Sequence, residues 1–191
     1  MTTKEALLGF YEFNNLNLAD DFKTHCVRVC IGCMLAPVPN VNARKKYLKF
    51  HDLHHVIAGY GIHRVGECEV SSWELGSRSC RKPLIAVMNL FALSTGLISK
   101  PQRLIQAYYR GCRSKNLYYL SESFSEKEID EIDIETTRSS HLEIHLKIIV
   151  KFLRQLELLG YLIISMFIHV AMLFIGKGLL TAENIKKQWI S

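Results

Sequence analysis

Apolar and polar residues follow a helical period along most of this chain. Apolar side chains that recur every three or four residues indicate helices with one buried face. Pro near helix starts and Gly near helix ends supply further boundaries. Together these signals predict helices over 18–36, about 42–58, 67–75, 83–96, and from Pro101 through Tyr108, Tyr109 and Leu117. The expected fold is therefore all-α.

The first of these helices is expected to end before Pro37 and Pro39, since proline cannot continue a helix. Cys26, Cys30 and Cys33 fall at i, i+4 and i+7 in it. On a helix these positions share one face, so we expect the three cysteines to form a buried stripe of small apolar side chains.

One long uncharged segment lies near the end of the chain. Leu158–Gly176 contains 19 residues without a formal charge, and about 20 apolar residues are needed to span a bilayer. Basic residues, among them Lys151 and Lys177, flank both ends, so charge does not select an orientation. The pattern predicts an apolar helix that spans the membrane or is embedded in it. The alternative is a core helix buried on all sides.

An acidic stretch separates this segment from the rest of the chain. Six of the ten residues 126–135 are Asp or Glu, which is typical of an exposed linker or a short solvated helix. The expected organisation is a helical domain over 1–125 that binds metal and lipid, an acidic linker over 126–140, and a C-terminal apolar helical segment over 141–191.

Composition narrows the function classes. The chain has 191 residues, of which 49% are hydrophobic, so it is not intrinsically disordered. Its net charge of +6 is spread without any run of five like charges, and we expect no nucleic-acid partner. No signal peptide precedes the six cysteines, so we expect reduced thiols and a membrane-associated protein on the cytoplasmic side.

The chemistry-bearing residues lie between 50 and 76. His51 and His55 are four residues apart, so on a helix they share a face and can bind one metal ion. Asp52 can add an oxygen ligand or orient an imidazole. Glu67 follows beyond a Gly-rich turn that lets the chain fold back. Two histidines and one or two carboxylates form an open, catalytic type of site that suits zinc, iron or another divalent ion.

Other interpretations of the same residues stay open on physical grounds. Paired histidines can also lie on the solvated face of an amphipathic helix. Glu69 competes with Glu67 for the carboxylate position, and His54 or His63 can move a proton, pack in the core or face solvent.

The spacing His51-Asp52-x-x-His55, eleven further residues and then Glu67 resembles the motif of the coenzyme Q biosynthesis protein 4 family. The surroundings are also similar: Gly59 follows the second histidine, Gly66 precedes the glutamate, and the block ends in Trp73-Glu74-Leu75-Gly76. A later segment, Tyr109-Arg110-Gly111 followed by Leu117, resembles another helix of that family. The resemblance covers about residues 10–125, and the apolar C-terminal segment departs from it.

The resemblance implies an all-α protein, often dimeric, with a metal beside an apolar cavity for isoprenoid lipids. It implies metal ligands at His51, Asp52, His55 and Glu67, of which His55 and Glu67 are the best candidates for catalysis. The implied activity is oxidative decarboxylation of a prenylated ring at carbon 1, in ubiquinone biosynthesis. A non-catalytic lipid-binding scaffold for a membrane biosynthetic complex is the alternative. Metal-dependent hydrolysis of lipid phosphates is a third possibility.

Overall fold

The computed structural model describes residues 1–16, 23–119 and 148–190. The predicted acidic linker, 126–140, lies outside these residues. Within them the chain forms a two-stranded sheet and six α-helices. The elements are α1 (Thr3–Phe13), β1 (Cys26–Ile31), β2 (Met34–Pro39), α2 (Asn42–Ala58), α3 (Arg64–Gly76), α4 (Pro83–Gly96), α5 (Pro101–Cys112) and α6 (Ile148–Ile190). Two short 3₁₀ turns cover Ser79–Arg81 and Leu117–Tyr119.

The prediction of a helix over 18–36 is wrong, because this segment contains an antiparallel hairpin of β1 and β2. The deciding pattern has a period of two. Val27, Val29 and Ile31 alternate with cysteine and arginine, and β-branched residues favour strands. Gly32 opens the two-residue loop at a φ of 59°, a left-handed conformation that suits a tight hairpin. The fold is therefore mostly helical rather than all-α.

The hairpin also redistributes the three cysteines that a helix would have aligned. Cys26 and Cys33 are exposed and Cys30 is half-buried, so they form no buried stripe. The thiols of these three residues, and those of the buried Cys68 and Cys112, are free. Among the cysteines whose side chains the structure describes, none forms a disulfide.

The predicted helices over 42–58 and 83–96 are confirmed as α2 and α4. Two boundaries differ. α3 begins at Arg64 rather than at Glu67, which places Glu67 inside its first turn. α5 ends at Cys112, and Leu117 lies in the following 3₁₀ turn instead of in the helix.

The centre of the fold is α3, which is buried from Cys68 to its end at Gly76. Its backbone lies against that of α5. A Cβ atom at Gly111 would meet the carbonyl oxygen of Trp73 at 2.0 Å, and one at Gly76 would meet that of Tyr108 at 2.2 Å. Only glycine permits so close an approach, so these two residues fix α5 against α3.

A separate apolar cluster fixes α2. Leu7 of α1 packs with Phe50 and Leu53 of α2 and with Leu117 and Tyr118 of the second 3₁₀ turn. This cluster occupies one side of α2. The histidines on its other side contact glutamates of α3, as described below.

The apolar C-terminal segment forms part of the 43-residue helix α6. Within it, Val150–Gly178 is long and apolar enough to cross a membrane, on length and composition alone. Only 17% of its apolar window is buried against the rest of the described chain. The alternative of a core helix buried on all sides is therefore wrong.

Candidate metal centre

Two neighbouring helices bring the predicted ligands together. His51 and His55 share one face of α2, and Glu67 lies in the first turn of α3. Gly59 ends α2 with a φ of 72°, and its amide donates to the carbonyl oxygen of His55 at 2.9 Å. This left-handed C-terminal residue turns the chain back toward α2. The short connection then returns Glu67 to the two histidines.

The three candidate ligand side chains form a compact group, the ligand triangle, made of two Nε2 atoms and one carboxylate. The Nε2 atoms of His51 and His55 are 3.3 Å apart. Oxygen atoms of Glu67 lie 3.3 Å from Nε2 of His51 and 3.4 Å from Nε2 of His55. Two ligand atoms bound tetrahedrally at about 2.05 Å from one ion would be about 3.3 Å apart. The spacing and the donor set therefore allow these three residues to hold one metal ion.

Acceptors on the far side of each ring orient the two imidazoles. The Nδ1 atom of His51 lies 2.9 Å from a carboxylate oxygen of Glu74, and Nδ1 of His55 lies 3.0 Å from the carbonyl oxygen of Tyr60. Each acceptor places a proton on Nδ1, which directs the Nε2 lone pair toward the other two ligands. Metal-binding histidines in proteins are almost always held in this way.

Glu74 anchors this arrangement from inside the core. Its side chain has no exposed surface, and one of its oxygens accepts hydrogen bonds from both His51 and His54, the latter at 2.7 Å. The other oxygen accepts from Asn89 of α4 at 2.9 Å. Burial raises the pKa of Glu74, but the nearby His51 and the hydrogen bonds outweigh burial and hold the pKa far below its usual value. Glu74 is therefore a buried carboxylate anion.

His54 is a core residue rather than a proton carrier at the cavity. Its side chain has no exposed surface, and its Nε2 accepts the backbone N–H of Leu117 at 2.8 Å. Burial lowers the pKa of His54. The imidazole is thus neutral and donates from Nδ1 to Glu74, which leaves both ring nitrogens satisfied.

The carboxylates around the ligand triangle stabilise a positive charge between its three side chains. Burial lowers the pKa of His51, but the carboxylates of Glu74 and Glu67 outweigh burial and raise it well above its usual value. Burial raises the pKa of Glu67, yet hydrogen bonds from His51 and His55 lower it to about 2. Without a proton on either Nε2, two imidazole lone pairs would face the Glu67 carboxylate at the triangle. A proton or a metal cation satisfies them there.

Asp52 lies beside this triangle but has a different partner. Its carboxylate accepts a hydrogen bond from the Tyr11 hydroxyl of α1 at 2.8 Å. Burial raises the pKa of Asp52, and burial together with Asp52 raises that of Tyr11. Among the described residues, the ligand atoms that lie within 4.8 Å of one another belong to His51, His55 and Glu67. The position of Asp52 as a fourth ligand stays a prediction.

The triangle opens onto a cavity of about 510 Å³. The side chain of Glu67 is 42% exposed and that of His51 is 22% exposed, so both are accessible from it. The cavity lining combines His51, Asp52 and Glu67 with three arginines, Arg28, Arg44 and Arg64, and with apolar side chains that include Leu16, Val29, Leu48, Ile62, Met88 and Ala92. The lining thus combines positively charged side chains with apolar ones.

The competing sequence candidates lie elsewhere. Glu69 is turned away from the histidines and forms a bidentate pair with Arg103 of α5, at 2.7 and 2.8 Å. His63 is exposed just before α3. Sequence reasoning missed Glu74 as a site residue. The sequence does contain one indication. Glu74 follows Glu67 by seven residues, so two helical turns place both carboxylates on one face of α3.

Comparison of the chain with protein-family models, with curated proteins and with solved structures finds no match.

Proposed function

We propose that this chain is a metal-dependent protein of the ubiquinone-biosynthesis type. It binds an isoprenoid or a prenylated quinone precursor and acts at the cytoplasmic side of a membrane. The proposed reaction is oxidative decarboxylation of the prenylated ring at carbon 1. A homodimer is the proposed state, since proteins with this motif are often dimeric.

The convergence of His51, His55 and Glu67 is the observation that carries this proposal. The Nε2 atoms of the two histidines are 3.3 Å apart, one oxygen of Glu67 lies 3.3 Å from the first and its other oxygen lies 3.4 Å from the second. Both imidazoles are oriented from behind by hydrogen-bond acceptors. The alternative of two solvated histidines on a helix face does not explain why both rings are fixed by acceptors at Nδ1. Because Glu67 is half-exposed, a fourth coordination position of a bound ion would be open to the cavity. Catalytic metal sites keep such an open position, whereas structural sites are closed.

The cavity next to the triangle supports the substrate class. Apolar side chains from β1, α2, α4 and two connecting segments offer room for part of an isoprenoid tail, and Arg28, Arg44 and Arg64 offer positive charge to an aromatic carboxylate. Arginine suits this role, because its planar guanidinium matches a carboxylate.

The overall reaction replaces a carboxyl group by a hydroxyl group. The bond from ring carbon 1 to the carboxyl carbon breaks, carbon dioxide leaves, and a carbon–oxygen bond forms at carbon 1. Dioxygen is the oxidant: one O2 serves two rings and gives one oxygen atom to each, so two aromatic acids and one O2 yield two phenols and two molecules of carbon dioxide. A bound divalent ion would supply Lewis acidity toward a carboxylate or phenolate oxygen. The chain itself would hold that ion with His51, His55 and Glu67.

A specific observation also favours the scaffold alternative. Glu74 joins His51 and His54 of α2 to Asn89 of α4, so an ion held at the triangle would brace three helices. In that case the metal organises the lipid pocket and no chemistry follows.

Release of labelled carbon dioxide tests the proposal. The full chain, loaded with iron or zinc, is incubated under air with a prenylated aromatic acid that carries ¹³C in its carboxyl group. We expect labelled carbon dioxide from the wild type and from Glu69→Gln, a carboxylate variant on the same helix. We expect at least a hundredfold slower release from His55→Ala and Glu67→Gln.

The fold and the bound lipid of these variants are measured in parallel by circular dichroism and lipid mass spectrometry. An enzyme loses turnover while both persist. If the metal-loaded wild type releases no carbon dioxide and the variants lose lipid or unfold, the catalytic proposal is wrong and the scaffold is supported. Release of inorganic phosphate from a prenyl phosphate would support the hydrolase instead.

A further inference from the structure

In helix α6 three polar side chains are buried while most of the large apolar ones are exposed. Arg154, Ser165 and His169 are each less than 9% exposed. Between Phe152 and Ile175, in contrast, twelve large apolar side chains are exposed, with Phe167 at 72% and Phe174 at 71%. A helix on the surface of a water-soluble protein shows the opposite arrangement. The outer face of α6 therefore faces an apolar medium or partner.

The inner face is held to the folded domain along its length. The Tyr108 hydroxyl donates to the carbonyl oxygen of Arg154 at 3.1 Å, and Ser165 Oγ donates to the carbonyl oxygen of Leu90. Nδ1 of His169 donates to the carbonyl oxygen of Ser94 at 3.0 Å. Met34 of the hairpin lies against Gly176. The contacts thus run from residue 154 to residue 176, which are about 33 Å apart along the helix.

This length of attachment excludes a spanning orientation for the docked helix. The hydrocarbon core is about 30 Å thick. If α6 crossed it, α4, part of α5 and the hairpin would be carried into it as well. Among the described residues no further strand pairs with either edge of the hairpin, and its Arg28 is exposed. Open sheet edges do not occur within the hydrocarbon region. The helix must therefore lie parallel to the membrane plane.

The width of the apolar face favours lipid over a single partner helix. The exposed residues include the consecutive triplet Leu173, Phe174 and Ile175. Neighbouring residues differ by about 100° around a helix, so this triplet covers about 200°. A second copy of α6 would cover only a narrow seam with a repeat of about 3.5 residues. A continuous layer of acyl chains covers the whole face.

Charge at the two ends of the face fits the same partner. Lys151 and Lys177 are exposed at its ends, and Leu158–Gly176 between them carries no formal charge. Helices that lie in a membrane interface combine an apolar face with basic residues that attract anionic headgroups.

From these contacts, exposures and charges, we propose that α6 is an in-plane membrane anchor. Its outer face is buried in one leaflet of an anionic bilayer, while its inner polar stripe stays docked on α4, α5 and the hairpin. This inference concerns attachment alone and stands whether or not the metal centre is catalytic.

Vesicle binding and depth measurements test the anchor. The purified full chain is mixed with vesicles of phosphatidylcholine and phosphatidylglycerol at 7:3 and sedimented. We expect the double variant Phe167→Glu/Phe174→Glu to lower the partition coefficient at least tenfold. The control Phe13→Glu, which alters an 86% exposed phenylalanine of α1, leaves binding unchanged. Circular dichroism verifies that all variants are folded.

Depth then separates an in-plane helix from a spanning one. Tryptophan is placed singly by Phe152→Trp, Phe167→Trp and Phe174→Trp, and its quenching by brominated lipids is measured against the parent chain. An in-plane anchor gives three equal depths within a few ångströms. A depth at position 167 that exceeds the other two by about 10 Å would mean a spanning helix and overturn the proposal. Absence of vesicle binding, with a dimer that the double variant converts to monomer, would overturn it in favour of a second copy.

Discussion

The Nδ1 atom of His51 lies 2.9 Å from a carboxylate oxygen of Glu74 that has no exposed surface. This contact fixes the ring so that Nε2 points at His55 and Glu67. Replacement of Glu74 by glutamine removes the negative charge behind the ring and loosens its orientation. We expect Glu74→Gln to weaken metal affinity by about 10- to 100-fold, measured by competition with a chromogenic chelator.

Glu69→Gln is the matched control, since Glu69 is also a buried carboxylate of α3 but pairs with Arg103. Its metal affinity should equal that of the wild type. Equal affinities for all three proteins would mean that Glu74 does not support the metal centre.

Metal removal should lower the stability of the whole chain. A ligand that binds only the folded state stabilises it by about 2.7 kcal/mol at a concentration one hundred times its Kd. We expect a chelator to lower the Tm of the wild type and added zinc or iron to restore it. The double variant His51→Ala/His55→Ala should show neither change. If the Tm of the wild type changes neither with the chelator nor with added metal, the triangle does not bind metal.

Asp52→Asn decides whether the centre has three or four protein ligands. The resemblance implies a fourth ligand, but the Tyr11 hydroxyl already donates to this carboxylate at 2.8 Å. We therefore expect Asp52→Asn to retain near-stoichiometric metal by elemental analysis, whereas His55→Ala loses it. Loss of metal in Asp52→Asn to the same extent would establish Asp52 as a ligand.

His54 should contribute to stability rather than to chemistry. Its removal leaves the N–H of Leu117 without its acceptor and opens a cavity beside Glu74. We expect His54→Ala to lower the free energy of unfolding by about 3 kcal/mol, measured by urea denaturation. His63→Ala, at an exposed position, should change it by less than about 0.5 kcal/mol. Similar values for the two variants would contradict the core role of His54.

The contact of α3 with α5 should tolerate no added methyl group. A Cβ at Gly111 would lie 2.0 Å from the carbonyl oxygen of Trp73, so Gly111→Ala must separate the helices. We expect a loss of about 3 kcal/mol in unfolding free energy. Gly9→Ala, on an exposed helix position with nothing within 4 Å, should gain about 0.5 to 1 kcal/mol. A neutral Gly111→Ala would show that the two helices do not touch.

Sequence reasoning predicted the parts of the fold that local patterns control. Pro83 and Pro101 start helices as expected, and Gly59 ends one in the left-handed conformation that its lack of a side chain allows. The spacing of His51 and His55 placed both ligands on one helix face. Glu67 was selected over Glu69 by its resemblance to a motif, and the structure brings Glu67 to the histidines.

The remaining features depended on tertiary contacts. Cys26, Cys30 and Cys33 have the spacing of one helix face. The segment nevertheless forms a hairpin, because its β-branched residues alternate, Gly32 permits the tight loop, and α4 and α6 pack against the strands. The sequence around Glu74 does not distinguish it from a solvated glutamate of a helix, because its burial depends on contacts with α2 and α4. Which face of α6 meets the domain depends on Tyr108 and Ser94, which no local pattern identifies.

A single oxygen atom of Glu74 receives hydrogen bonds from two imidazoles, those of His51 and His54. A cation at Nε2 of His51 makes that ring a stronger donor and draws the shared negative charge toward it. We expect the hydrogen bond from His54 to weaken in response, and with it the hydrogen bond that His54 accepts from the backbone N–H of Leu117. By reciprocity, whatever tightens the turn at Leu117 must oppose cation binding by the same free energy. One acceptor shared by two donors would thus couple cation binding at His51 to the backbone turn at Leu117, with opposite effects on the two.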